Sequence, residues 1–407
     1  MIEKRNSNYR WYILTITMLV YAVIAGAARL CMPVLFKEIS DDLGLSLVQV
    51  GTIWGMDPLA GVFIGLPSGL LADRFGVKRT ITVVCILAGI LGALRGFSVN
   101  FFTMAATMFL FGFTAAATPS IVPKVTAEWF SGEKLGLANA LLNVAWSVGA
   151  VAATMTSATL LSPWLGGWRN VMFFYGAPAL ALGLLWWFTG REPDKSHLPE
   201  AEKSQIPFKQ AISDVIRIKE VWIIGIVTLF TWGASMGFVG YLPLYLRNLG
   251  WSNAAADSVI TAFSGITLVG SVPMALLSDK LHSRRGVLIL SIAGFAVSLV
   301  FVPYVNALGI WLLVLIGGFL RSGAGTLVNV IIFENKDVGS SYGGTAVGLA
   351  STVSMFGAFI APPLGNSLEK FSTGLPFIFW AGLGFLAIPL IGLIKPKAKS
   401  TGNLSGH

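Results

Sequence analysis

Two arginines and one aspartate stand where the chain is otherwise apolar. Arg29 lies in the run 11–36, Asp57 in WGMDPLAG, and Arg321 in RSGAG, deep in the run 307–331. A guanidinium is a rigid fork of donors that matches a carboxylate, phosphate or sulfonate. At bilayer depth an arginine costs on the order of a few kcal/mol or more unless it faces water or a partner. One such residue in each half of the chain therefore suggests an anion held between them. Neutral sugars would not need this pair, and cations would be repelled by it. Asp57 is a coupling candidate, as a carboxylate that can take a proton, and also a plausible partner for Arg29.

Neighbouring residues support these positions. Gly317 and Gly325 stand one turn either side of Arg321 and leave room beside it. Ala22, Gly26, Arg29 and Pro33 share one helical face. Softer candidates are Tyr21, Asn143 (spaced with Asn139 and Ser147), Trp232 and Ser235 (with Thr228), and Ser354 (with Ser351). Each of these equally suits a bond between helices, worth about 0.6 kcal/mol in membranes. Arg95, at the end of the run 80–98, reads as an interface anchor that reaches water. Asp257 reads as the cap of the run that follows it.

The elements that carry these residues must be membrane-spanning helices. Hydrophobic residues are 55% and charged residues 12% of 407, and the mean hydropathy is +0.75. A soluble domain carries about twice that charged share. Twelve windows reach the roughly 20 apolar residues that a span requires: 11–36, 47–71, 80–98, 101–123, 135–161, 170–189, 221–246, 254–277, 286–304, 307–331, 341–364 and 373–394. The fold class is an all-α polytopic membrane protein. Residues 1–10 form an N-terminal tail, 11–189 a first six-helix bundle, 190–220 a polar central loop, 221–394 a second bundle, and 395–407 a C-terminal tail. Lys and Arg divide as 21 on the side of the termini and 4 on the other, with three more in or beside the spans. The positive-inside rule then makes both termini cytoplasmic. The net charge of +9 resides in these short loops, which argues against nucleic acid. Cys31 and Cys85 fall in apolar runs and give no metal-ligand spacing. No phosphate-cradling loop or nucleophile–base pair is visible, so the expectation is no enzyme, no cofactor and no ATP.

The chain is also duplicated. GLLADRFGVKR (Gly69 to Arg79) is echoed by ALLSDKLHSRR (Ala275 to Arg285), 206 residues on. At the same offset LGLS (Leu43 to Ser46) matches LGWS (Leu249 to Ser252), Glu128 matches Glu334, and Arg79 matches Arg285. Two six-helix repeats of like orientation place a site between them near the midplane, about which they can rock.

GLLADRFGVKR after the second run, the weaker second copy, WFSGEKLGLANAL after the fourth and GGWRN before the sixth together resemble the major facilitator superfamily. The resemblance covers nearly the whole chain. It implies that the repeated loops latch the cytoplasmic gate: Asp73 would cap and pair across the halves, and Arg74 and Arg79 would meet acids such as Glu128. Asp279, Arg285 and Glu334 are the second-half counterparts. The spacing from Arg29 to LGLS resembles that of the superfamily's organic anion and organophosphate carriers. Two departures are visible. Ala28 stands where those relatives often have an acid, and Ala115 where proton-coupled ones tend to have a glutamate. The absence of a GPxxGG-type run in the fifth window counts against a multidrug antiporter.

The reading is a secondary active transporter of a small organic anion, expected to be a carboxylate, monomeric in the cytoplasmic (inner) membrane. It works by alternating access, with proton symport and anion exchange both open. Rivals are an efflux carrier for amphipathic compounds and a non-transporting anion sensor. A membrane enzyme finds no chemistry in these runs.

Overall fold

The computed structural model describes residues 2–130, 133–191, 208–335 and 338–394. Among these no strand occurs, and twelve helices are long and apolar enough to cross a membrane. Spans one to six are Tyr9–Leu43, Leu47–Gly65, Val77–Phe97, Phe101–Trp129, Lys134–Leu165 and Trp168–Thr189. Spans seven to twelve are Lys219–Asn248, Asn253–Lys280, Arg284–Tyr304, Ala307–Glu334, Tyr342–Ser367 and Leu375–Gly392. Each falls on one of the expected windows. The helix of span two runs on to Phe75.

Two segments differ from the sequence expectation. The first helix begins at Ile2, so helix continues from span one into the residues read as a tail. The central loop contains a helix, Phe208–Ile216. It docks on the second half, where the Tyr342 hydroxyl donates to Asp214 at 2.9 Å and Trp222 Nε1 donates to the Ile216 carbonyl at 2.8 Å. Residues 192–207 and 395–407 lie outside the described residues.

The duplication has a physical basis. In LGLS and LGWS, Gly44 (φ 62°) and Gly250 (φ 87°) adopt left-handed backbone at the end of one span. A side chain would be strained there. Ser46 and Ser252 then cap the next helix by accepting from Gln49 N and Ala255 N, each at 3.3 Å. The two halves also pack alike. Spans one and five, two and four, and three and six pair in the first half. Spans seven and eleven, eight and ten, and nine and twelve pair in the second. Where the first pair meets, a Cβ on Gly149 would lie 2.1 Å from the Ala22 carbonyl oxygen. In the matching pair, a Cβ on Gly357 would lie 2.0 Å from that of Leu229. Only glycine permits backbones this close.

The halves meet through spans one and seven, two and eleven, and five and eight. Spans two and eleven run antiparallel. Gly51 abuts Pro362 and Pro363, Gly55 abuts Phe359, and Gly61 abuts Met355. Farther along the same helices, Gly65 and Gly344 face open space. The molecule is thus closed on the face carrying Gly44 and Gly250 and parted toward the opposite face.

Candidate functional site

Span one is α-helical except over Tyr21–Ala27, which is π-helical. Inserted turns of this kind often mark functional positions. Here the π segment lies against span five, where Trp146 Nε1 donates to the Ala25 carbonyl at 3.1 Å. Arg29 follows directly. Its Nε donates to Asp57 Oδ2 of span two at 2.5 Å. The Asp57 side chain is fully buried, while that of Arg29 is 24% exposed. The expected partnership of these two residues is present. Among the described residues Asp57 Oδ1 has no hydrogen-bond partner.

Arg95 corrects the sequence expectation. It is 0% exposed rather than an anchor reaching water. A 3-10 turn, Arg95–Phe97, ends its helix, and the side chain folds back into the bundle. Its Nη1 donates to the Ala28 carbonyl at 2.9 Å and its Nε to the Gly92 carbonyl at 3.1 Å. The guanidinium carbon lies 4.0 Å from the Phe111 ring centroid, a cation–π contact. The next residue, Gly112, packs on the Asp57 backbone, where a Cβ would come within 2.8 Å of its Cα. Arg95 therefore lies beside the Arg29–Asp57 pair and against Cys31, and among the described residues its Nη2 has no geometric hydrogen-bond partner.

In the second half, Arg321 lines a cavity of about 160 Å³ with Trp232, Gly325, Asn329, Ser351 and Ser354. Arg321 Nε donates to Ser235 Oγ at 2.6 Å, and its guanidinium carbon lies 5.5 Å from the Trp232 ring centroid. Among the described residues no carboxylate pairs with it. The expected group Arg321, Trp232, Ser235 and Ser354 is thus brought together. Nothing abuts Gly325, whereas Gly317 packs against Ser298, so only one of the two flanking glycines opens space at the arginine. Asn329 was legible as the next polar residue on the Arg321–Gly325 face, two turns on, but no local pattern singles it out.

Asn143 is not among the residues lining this cavity; it is exposed on span five and donates to the Asn139 carbonyl at 3.1 Å. Tyr21 is half-buried near Arg29. The two arginines lie at one level. Asp57 falls between Gly55 and Gly61, which abut Phe359 and Met355. Trp232 adjoins Gly233, which abuts Gly357. Both charged groups therefore stand within about one turn of Gly357 along span eleven.

The closed face carries a network that sequence reading missed. Arg247 of span seven pairs with Asp257 of span eight, both buried. Asp257 does not cap its helix; Ser252 does. From the other half, Thr159 donates to Asp257 Oδ2 at 2.9 Å. Thr154 and Thr261 share a bond of 2.9 Å, and Trp54 Nε1 donates to the Met236 carbonyl at 3.0 Å. Ser162 donates at 2.5 Å to Glu38, which lies within electrostatic reach of Arg247.

On the parted face, the Asp73 side chain lies outside the described residues. Arg74 lies over Phe75, 5.5 Å from its centroid, and neither Arg74 nor Arg79 forms an ion pair among the described residues. In the second copy it is Arg284 that joins Asp279, at 2.5 Å, and Glu334, at 3.5 Å, with Arg285 beside it. Glu128 is half-buried at the end of span four.

This architecture is that of a two-bundle membrane transporter. The sequence profile described as Major Facilitator Superfamily matches residues 17–259 and 245–406, and the chain belongs to that family. It is a transporter rather than an enzyme. It is similar to a probable sulfoacetate transporter, SauU, of Cupriavidus necator, at 24% identity over 98% of both chains. It is also similar to a gallate transporter of Pseudomonas putida, at 23% identity over 91% of this chain and 88% of that one. Among solved structures, a bacterial homologue of the human lysosomal transporter Spinster, inward-facing and occupied, superposes with TM-score 0.77. That match is at 15% identity and covers 95% of this chain and 97% of the other, a likeness of fold alone.

Proposed function

We propose that the protein is a secondary active transporter that carries a small organic anion, a carboxylate or sulfonate, across the cytoplasmic membrane by alternating access. The observation that carries this reading is Arg321. It is a guanidinium at mid-depth, facing a cavity, steadied by Ser235 and Trp232, with no carboxylate partner among the described residues. A charge held so at bilayer depth is functional by default. Arg29 at the same level is the second ligand, and the anion bridges the halves. The substrates named for the sulfoacetate and gallate carriers are acids of this kind.

The distribution of Lys and Arg supports cytoplasmic termini. In that orientation the parted face opens inward and the closed face, with Arg247 and Asp257, is the outer gate. Asp73, Arg74, Arg79, Glu128, Asp279, Arg285 and Glu334 then lie around the inner gate and engage when it shuts. The protein works as a monomer. A thermal-shift screen of carboxylates, sulfonates, phosphates, sugars and cationic amphiphiles tests the reading, because a ligand that binds only the folded state raises Tm. Saturable stabilisation by carboxylates or sulfonates that is lost in Arg321→Gln is expected. Stabilisation by cationic amphiphiles alone would favour an efflux carrier instead.

A further inference from the structure

We infer that the cargo is a dianion with an acidic group at each end, one seated on Arg321 and the other on Arg29, where it displaces Asp57. This rests on the proposed anion site and goes beyond it by fixing the charge of the cargo.

The charges at this depth do not balance. Arg29, Arg95 and Arg321 bring three guanidinium groups to this level, and among the described residues Asp57 is the carboxylate beside them, the acids Glu38 and Asp257 lying with Arg247 at the closed face. Two positive charges remain uncompensated. While one face is parted, water and ions can screen the cavity. Alternating access, however, passes through a state closed on both sides, in which uncompensated charge is buried and costly. The cargo that makes that state neutral carries two negative charges. A monoanion would leave one guanidinium buried without a counter-charge.

The geometry of the first half accommodates the exchange. Asp57 uses one oxygen on Arg29 and leaves Oδ1 unsatisfied. Arg95, fully buried beside it, has Nη2 unsatisfied. A cargo acid group that takes the Arg29 fork leaves Asp57 ionised against Arg95, so the carboxylate keeps a cationic neighbour. Asp57 is on this account a stand-in for the cargo's second acid group in the empty carrier. Arg321 needs no stand-in, because it faces the open cavity.

The test compares wild-type protein with matched probes. Short α,ω-diacids from malonate to adipate, and sulfoacetate, are titrated calorimetrically beside the monoamide of each carboxyl-bearing probe and beside gallate. At least one diacid or sulfoacetate is expected to bind about tenfold or more tighter than its own monoamide, the loss of one charged hydrogen-bonded contact. Arg29→Gln is expected to remove the dianion's advantage, bringing its affinity to within about threefold of its monoamide's in the same variant. Equal affinity of dianion and monoamide, or binding of gallate with none of the dianions, overturns the inference and leaves an anion carrier. Binding of no anion at all overturns both. The wild-type comparison needs no variant to fold.

Discussion

Arg29 donates to Asp57 at 2.5 Å across spans one and two, whereas Arg321, at the same level in the other half, donates to Ser235 and lies over Trp232, with no carboxylate paired to it among the described residues. The two pseudo-symmetric halves thus hold their interior arginines unequally. In the second half no carboxylate among the described residues pairs with the guanidinium. In the first the guanidinium is bound to a buried carboxylate.

Removing Asp57 exposes that asymmetry. In Asp57→Asn, Arg29 loses its counter-charge, and breaking a buried pair from one side costs roughly 3–5 kcal/mol. The expected result is a lower Tm for the empty protein together with tighter binding of a dianionic ligand, since Arg29 no longer has a competitor. Calorimetry and thermal unfolding on the same sample measure both. Weaker ligand binding would place Asp57 on the side of the ligand rather than against it.

Charge balance also predicts exchange. On the proposed mechanism an empty carrier closes with two uncompensated charges and returns slowly. Uptake into proteoliposomes preloaded with the same anion should exceed uptake into empty ones severalfold. Equal rates would favour symport.

The closed face depends on Arg247 and Asp257, with Thr159 reaching across from the first half. Arg247→Gln leaves Asp257 buried without its cation and should shift the population toward opening on that side. A cysteine placed by Gly325→Cys reports this, because nothing abuts Gly325 and it lines the cavity. With the buried Cys31 and Cys85 replaced by alanine, an impermeant maleimide applied from outside should label the Arg247→Gln protein faster. An unchanged rate would remove this network from the gate.

Gly149 and Gly357 hold equivalent close contacts, Cβ positions at 2.1 and 2.0 Å from facing carbonyl oxygens. Valine at either position should destabilise by about 1–3 kcal/mol or more through overpacking. Thermal unfolding should show comparable losses for the two, since each fills the same joint of its own half.

Much of the fold was legible in the chain because lipid imposes a simple rule: a span is a long apolar run. The repeated Leu-Gly-x-Ser signature was legible for a local reason, a left-handed glycine followed by a capping serine. Arg321 with Trp232, Ser235 and Ser354 was legible because charge and polar spacing on apolar helices are rare. Arg95 was misread because a single 3-10 turn decides whether its side chain faces water or folds under Phe111. Asp257 was read as a helix cap, and Glu38 and Arg247 were not singled out. Their pairing depends on which spans are neighbours at the closed face, and no periodicity within one span encodes that.

On the proposed function Arg321 and Arg29 together hold the anion. Uptake of a labelled anion, sulfoacetate first and then any stabilising acid from the thermal screen, into proteoliposomes bearing Arg321→Ala, Arg29→Ala or both tests it most directly. Either single variant should reduce uptake at least about tenfold, the loss of one charge-assisted contact, and the double variant should abolish it. Undiminished uptake by a folded double variant would contradict the two-arginine site.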